Sequence, residues 1–66
     1  MKVLIIEDEK HASDRLVRLL READPSIEVC NVLGSVESSV NWFLTNPRPD
    51  LIFMDIQLED GLCFEI

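Results

Sequence analysis

The stretch "DLIFMD", residues 50–55, runs from one aspartate through four apolar residues to another aspartate. An apolar run this short, bounded by polar residues, is typical of a β-strand that is buried on both faces. The stretch "KVLIIED", residues 2–8, has the same form near the beginning of the chain. The two stretches together predict a parallel sheet whose strands end at carboxylates.

Helical and strand patterns alternate between these two stretches. Apolar residues recur at three- and four-residue steps over residues 10–23, which predicts an amphipathic helix. A second strand is predicted over 27–33, a second helix over 36–45 with Ser35 as its N-cap, and a third strand over 50–54. The apolar stripes are Ala12, Leu16, Leu19, Leu20 and Ala23 on the first helix and Val36, Val40, Phe43 and Leu44 on the second.

The order of these elements is β-α-β-α-β, which implies a parallel sheet with right-handed crossovers. Residues 62–66 have a pattern that could begin a third helix. The 66 residues allow one domain, and their 47% hydrophobic content is that of a folded protein. The net charge of −7 argues against binding to nucleic-acid phosphates or to an anionic membrane, and it suits a cation or a basic partner.

Three carboxylates follow the apolar strands. Glu7 and Asp8 come after the first strand and Asp55 comes after the third. If these strands are neighbours, the three acids meet at one edge of the sheet, where two carboxylates about 4 Å apart repel by roughly 1 kcal/mol in water. A divalent cation removes this repulsion, and Mg²⁺ prefers hard oxygen ligands. The alternative for Asp55 is a helix cap or a solvated loop residue, and a cap is the preferred interpretation for Glu9.

The stretches "VLIIEDE" (3–9) and "RPDLIFMDIQLEDG" (48–61) resemble the receiver domain of two-component response regulators. The resemblance covers the whole chain in order, and "DIQLEDGLCFEI" (55–66) is similar to the regulators that carry a LytTR-type DNA-binding domain. It implies a partial flavodoxin-like, doubly wound parallel sheet with strand order 2-1-3 and the later strands absent. Residues 1–66 would then be the N-terminal part of a single receiver domain.

The resemblance also assigns roles to residues. Asp55 matches the phosphoacceptor, and Glu7 and Asp8 match the acidic pair that holds Mg²⁺. Gln57 stands where the family supplies a backbone carbonyl as a further metal ligand. The implied phosphodonor is a sensor histidine kinase, and DNA would be bound only through a C-terminal output domain outside this chain. Such a module is no enzyme beyond catalysing its own phosphorylation and dephosphorylation.

The chain departs from the family pattern after Asp55. Glu59 stands where receivers commonly have proline, and Gly61 falls earlier than the usual loop glycine, which we match to the position of Cys63. The family's switch Ser/Thr and its Lys lie on strands that this chain lacks. The third strand therefore becomes an exposed apolar edge, through which we expect self-association. Two cysteines without metal spacing, and no signal peptide or membrane span, lead us to expect a cytoplasmic protein.

Two other functions use similar residues. A Mg²⁺-dependent phosphohydrolase of the haloacid dehalogenase type also has an aspartyl nucleophile, but it requires a second aspartate two residues later, where Gln57 stands. A pseudo-receiver keeps the fold without being phosphorylated and normally lacks one of the acids, whereas Glu7, Asp8 and Asp55 are all present. Both functions remain alternatives to the phosphoacceptor.

Overall fold

The computed structural model describes residues 1–58 and 60–66. For Cys63 it describes the backbone and not the side chain. A three-stranded sheet with two helices forms the body of the fold, and a short hairpin follows it. The elements are β1 (Lys2–Ile6), α1 (Lys10–Ala23), β2 (Glu28–Leu33), α2 (Val36–Thr45), β3 (Leu51–Met54), β4 (Gln57–Leu58), β5 (Gly61–Leu62) and a 3₁₀ turn (Cys63–Glu65).

The sheet has the strand order β2-β1-β3 and is parallel throughout. β1 therefore lies in the centre, with Val3 opposite Leu51 on one side and opposite Val29 on the other. The predicted α/β class and the 2-1-3 order are both confirmed. Because β1 and β3 are neighbours, the acids that follow them reach the same edge of the sheet.

β1 is buried on both faces, as its apolar run predicts. Residues Val3 to Ile6 are all 0% exposed. On one face Leu4 and Ile6 belong to a core cluster covered by Val36, Trp42 and Phe43 of α2. On the other face Ile5 borders a cleft shared with α1. The two helices thus cover opposite faces of the sheet, which is the doubly wound arrangement.

Helix α1 begins and ends as predicted, but its buried face differs from the predicted stripe. Ser13 is the buried residue of this helix, whereas Ala12, Leu19 and Ala23 are exposed. The hydroxyl of Ser13 donates a hydrogen bond to the carbonyl of Lys10, 2.9 Å away, so its polar atom is satisfied within the helix. Part of the predicted apolar stripe is thus left in solvent, while a small polar residue occupies the buried position.

Helix α2 shows the same kind of difference. Ser35 is its N-cap, as predicted, and its hydroxyl accepts from the N–H of Ser38. Ser39 is fully buried and donates its hydroxyl to the Ser35 carbonyl at 2.7 Å. Leu44, predicted as part of the core stripe, is 77% exposed. It lines an apolar groove beside β3 instead.

Strand β3 is shorter than predicted and is not buried. Leu51, Ile52 and Met54 are 41%, 37% and 38% exposed. The prediction of burial on both faces is wrong here because, in the described part of the chain, β3 pairs only with β1 and its other edge is open. The predicted start of a third helix is only the 3₁₀ turn over Cys63–Glu65.

No helix formed by the described residues is both long enough and apolar enough to cross a bilayer.

Candidate metal centre

The backbone carries the candidate site residues to the carboxyl ends of β1 and β3. The N–H of Glu7 donates to the carbonyl of Leu33 over 2.8 Å, and the N–H of Asp55 donates to the carbonyl of Ile6 over 2.9 Å. Hydrogen bonding to the neighbouring strand therefore extends one residue beyond each strand end. The Glu7 and Asp55 backbones are fixed by these bonds, and Asp8 follows Glu7 directly.

The three acids meet at this edge of the sheet. One carboxylate oxygen from each of Glu7, Asp8 and Asp55 lies within 4.8 Å of those of the other two. Glu7 and Asp55 are half-buried, and Asp8 is exposed. Their expected convergence is thus a feature of the structure, whereas the metal and phosphoacceptor roles remain predictions.

Glu7 lies next to the negative charges of Asp8 and Asp55, which affect its pKa. A hydrogen bond from the N–H of Glu9 lowers the pKa of Glu7, but desolvation, the charges of Asp55 and Asp8, and a hydrogen bond with the Asp55 side chain outweigh it. The net result is a pKa raised above the ordinary value of 4.5. The folded chain therefore holds a proton on this group more readily than a free glutamate does.

Three clustered carboxylate oxygens form a donor set that fits Mg²⁺. In an octahedral shell with bonds of about 2.0–2.1 Å, adjacent ligand oxygens lie about 3 Å apart and opposite ones about 4.2 Å apart. The three oxygens lie within 4.8 Å of one another, close enough for hard oxygen ligands to surround one small cation. Bound Mg²⁺ usually keeps several waters, which would complete its shell here.

Glu9, next to the cluster in sequence, caps the start of helix α1. Its carboxylate accepts hydrogen bonds from the N–H groups of His11, at 3.1 Å, and Ala12, at 2.6 Å. It is therefore the N-cap of α1, as predicted. The N–H of Glu9 in turn donates to the Glu7 carboxylate at 3.0 Å. The start of α1 thus helps to orient Glu7.

Gln57 lies two residues beyond Asp55, at the start of β4, where it pairs with Leu62. Its side chain is exposed. The metal contact that the family resemblance assigns to its carbonyl stays a prediction. Glu59, the departure at the family's proline position, lies outside the described residues, as does the side chain of Cys63.

Two residues of this loop have contacts that the sequence patterns do not indicate. Leu58 is only 3% exposed and packs in the core cluster with Leu4, Ile6 and Leu33. Ile56 and Leu58 both flank Gln57 in the sequence, and a segment this short does not show that Leu58 is buried while Ile56 is 64% exposed. Gly61 has a φ of +157°, and a Cβ there would meet Val36 Cγ2 at 3.3 Å, so this position favours glycine.

Asp60 joins the loop to α2. Its carboxylate accepts from the N–H of Val36 at 2.6 Å and from the N–H of Glu37 at 3.1 Å. These N–H groups in the first helical turn have no partner within the helix. The bonds from Val36 and Glu37 lower the pKa of Asp60 below its ordinary value of 3.8. The contact spans 24 residues of sequence, beyond the reach of local patterns.

Comparison with known proteins gives related sequences over the whole chain. The chain is 39% identical over all 66 residues to the sensory transduction protein LytT of Bacillus anthracis and 33% identical to that of Bacillus subtilis strain 168. It spans 26% and 27% of their lengths, about a quarter of each. No protein-family model and no solved structure matches the chain. The chain is thus homologous over its whole length to part of the LytT sensory transduction proteins, and its 2-1-3 parallel sheet with helices between the strands matches a partial receiver fold.

Proposed function

We propose that this chain is a phosphoacceptor module that accepts a phosphoryl group on Asp55 in the presence of Mg²⁺. The observation that carries the proposal is the meeting of Glu7, Asp8 and Asp55 within 4.8 Å at the carboxyl ends of adjacent parallel strands. Ligands of open α/β sheets bind at this edge. Asp55 is half-buried, which leaves part of its carboxylate open to a phosphodonor.

The chemistry needs few groups. One carboxylate oxygen of Asp55 attacks the phosphorus, the bond from phosphorus to the donor's nitrogen or oxygen breaks, and the leaving group takes that electron pair. The product is an acyl phosphate on Asp55. Glu7 and Asp8 would hold Mg²⁺, which when bound neutralises charge on the phosphoryl oxygens. The hydrogen bond from the Asp55 N–H to Ile6 keeps the acceptor beside the acidic pair.

The partners follow from the family. The LytT relatives are named sensory transduction proteins, and the chain spans about a quarter of their length. We propose a sensor histidine kinase as phosphodonor and, in a longer protein, a DNA-binding output domain that regulates transcription in the cytoplasm. The open edge of β3 and the apolar groove beside it suit self-association of the chain.

A small phosphodonor tests the proposal directly. The purified protein is incubated with acetyl phosphate and Mg²⁺, and its mass is measured. We expect a gain of one phosphate in the wild type and none in Asp55→Asn. Asp50→Asn is the matched control, because Asp50 lies at the opposite end of β3 and its amide replacement still offers an oxygen to the N–H of Lys2. This control is expected to gain the phosphate.

The two alternatives give different outcomes. Continuous release of inorganic phosphate that requires Asp55, without a lasting mass gain, would indicate the phosphohydrolase. Absence of any mass gain with intact Mg²⁺ binding would indicate a pseudo-receiver. Labelling of Asp55→Asn at the wild-type level would contradict the assignment of Asp55.

A further inference from the structure

We infer that Asp60 is a positioning residue, which ties the loop following Asp55 to the first turn of α2 and thereby restrains Gln57, two residues beyond Asp55. The role given to Gln57 rests on the function proposed above. The tie itself rests on contacts of described residues. It is an attachment between two segments that lie far apart in the sequence.

The hydrogen bonds at the start of α2 show how the tie is made. Ser35 accepts from the N–H of Ser38, and Asp60 accepts from the N–H groups of Val36 and Glu37. The N–H of Ser39 already donates within the helix pattern, to the Ser35 carbonyl at 3.1 Å. All four N–H groups that begin α2 thus have partners, and two of them depend on a side chain from the loop. A carboxylate is also favoured at the positive end of a helix dipole.

The loop is held at both ends. At one end the N–H of Asp55 is bonded to Ile6, and at the other the Asp60 carboxylate is bonded to α2. Between them Leu58 packs in the core, where Val36 is one of its neighbours in the cluster. Gln57 lies between the bond at Asp55 and the buried side chain of Leu58. Its backbone carbonyl therefore has little freedom as long as both attachments hold.

The hydrogen bonds of Asp60 limit how far the loop after Asp55 can move relative to α2. With the tie intact, the first turn of α2 and the loop form one unit. Without it, the loop is held by the buried side chain of Leu58 and by the β4–β5 pairing, and the backbone around Gln57 gains freedom. A ligand or phosphoryl group at the site is then bound by a less ordered set of atoms, and affinity falls because ordering the loop has an entropic cost.

The experiment compares three variants of the purified protein. Asp60→Ala removes both hydrogen bonds to α2, and Asp60→Asn retains one acceptor oxygen. Ser35→Ala is the control, because it weakens the start of α2 by a similar loss of capping but leaves the loop attached. The readouts are amide hydrogen exchange at Ile56, Gln57 and Leu58, the dissociation constant for Mg²⁺, the rate of labelling by acetyl phosphate, and the thermal midpoint.

We expect Asp60→Ala to speed exchange in the loop and to weaken Mg²⁺ binding about tenfold, as removal of supporting groups does at other metal sites. Asp60→Asn should lie between Asp60→Ala and the wild type. Ser35→Ala should lower the thermal midpoint comparably without changing exchange in the loop. Unchanged loop exchange in Asp60→Ala, or an equal loss of Mg²⁺ binding in Ser35→Ala, would overturn the positioning role.

The exchange measurement separates the two proposals. If the wild type neither binds Mg²⁺ nor accepts a phosphoryl group, the proposed function fails. Faster loop exchange in Asp60→Ala alone would then still support the tie to α2. If the wild type is phosphorylated and Asp60→Ala matches it in every readout, the tie fails while the proposed function stands.

Discussion

The N–H of Asp55 donates a hydrogen bond to the carbonyl of Ile6, 2.9 Å away. Ile6 is the residue before Glu7, so this bond joins the end of β3 to the start of the acidic pair. The distance between the acids is therefore set by the pairing of two strands and not by flexible loops. Because the strand pairing prevents the carboxylates from moving apart, their mutual repulsion is not relieved. The stability of the fold should therefore respond to a change of charge at the site.

Removal of one acid should stabilise the metal-free protein. In Glu7→Gln, the amide can still accept the hydrogen bond from Glu9, while one charge leaves the cluster. Repulsion of roughly 1 kcal/mol per pair in water is removed, which corresponds to a rise in the thermal midpoint of about 4–8 °C for a domain of this size. Mg²⁺ should raise the midpoint of the wild type and have a much smaller effect on the variant.

Asp14→Asn is a suitable control for this measurement. Asp14 is exposed on α1 and pairs with Lys10 at 3.1 Å, so its replacement changes the net charge equally without touching the cluster. The midpoint of this variant should stay close to that of the wild type. A lower midpoint for Glu7→Gln than for Asp14→Asn would show that the acids do not repel one another in the folded state.

The binding of Mg²⁺ should depend on pH through Glu7. Because the pKa of Glu7 is raised in the folded state, protons compete with the metal at pH values above the ordinary 4.5. Calorimetric titration should show affinity falling as the pH is lowered through this raised pKa. Glu7→Gln should show a smaller change over the same range, and an equally steep change would assign the effect to another group.

The stability of the metal-free protein should change in the opposite sense. A raised pKa in the folded state stabilises the fold fully below the unfolded value of 4.5, and this stabilisation is lost as the pH rises through the folded pKa. The free energy of unfolding of the wild type, measured relative to Glu7→Gln, should therefore decrease from about pH 4.5 towards neutrality. A difference that grows with pH would contradict the raised pKa.

Truncation of Leu58 should be costly although β4 has only two residues. Leu58→Ala removes a core side chain that is 3% exposed, and changes of this kind destabilise by about 2–5 kcal/mol. The control Leu62→Ala affects a residue on the paired strand that is 47% exposed, so it should cost much less stability. Urea unfolding measures both. Equal effects would mean that the loop is not anchored in the core.

Self-association should depend on the groove beside β3. Leu44→Lys places a charge in that groove at a residue that is already exposed, so the fold should be retained. Sedimentation velocity should show the wild type forming concentration-dependent oligomers and the variant remaining smaller. Leu19→Lys, on the helix covering the opposite face, should behave as the wild type. A wild type that is monomeric at all concentrations would contradict the expected association.

The sequence was sufficient for the fold and for the meeting of the acids because both follow from local patterns. The apolar runs determined β1 and β3, and parallel strands necessarily bring Glu7 and Asp55 to the same edge. Burial was predicted less well. Leu44 has the correct helical spacing, yet its exposure depends on what covers the groove, which no pattern in α2 encodes. The contact of Asp60 with α2 was also missed because it joins residues 24 positions apart.

The central position of β1 has a consequence for biosynthesis. During synthesis β1 must wait for its second neighbour, since Val3 pairs with Leu51. A nascent chain that ends within α2 has made β1 and β2 but has no Asp55 to complete the acidic cluster. The acidic cluster therefore stays incomplete until the last of the three parallel strands has emerged and paired with β1.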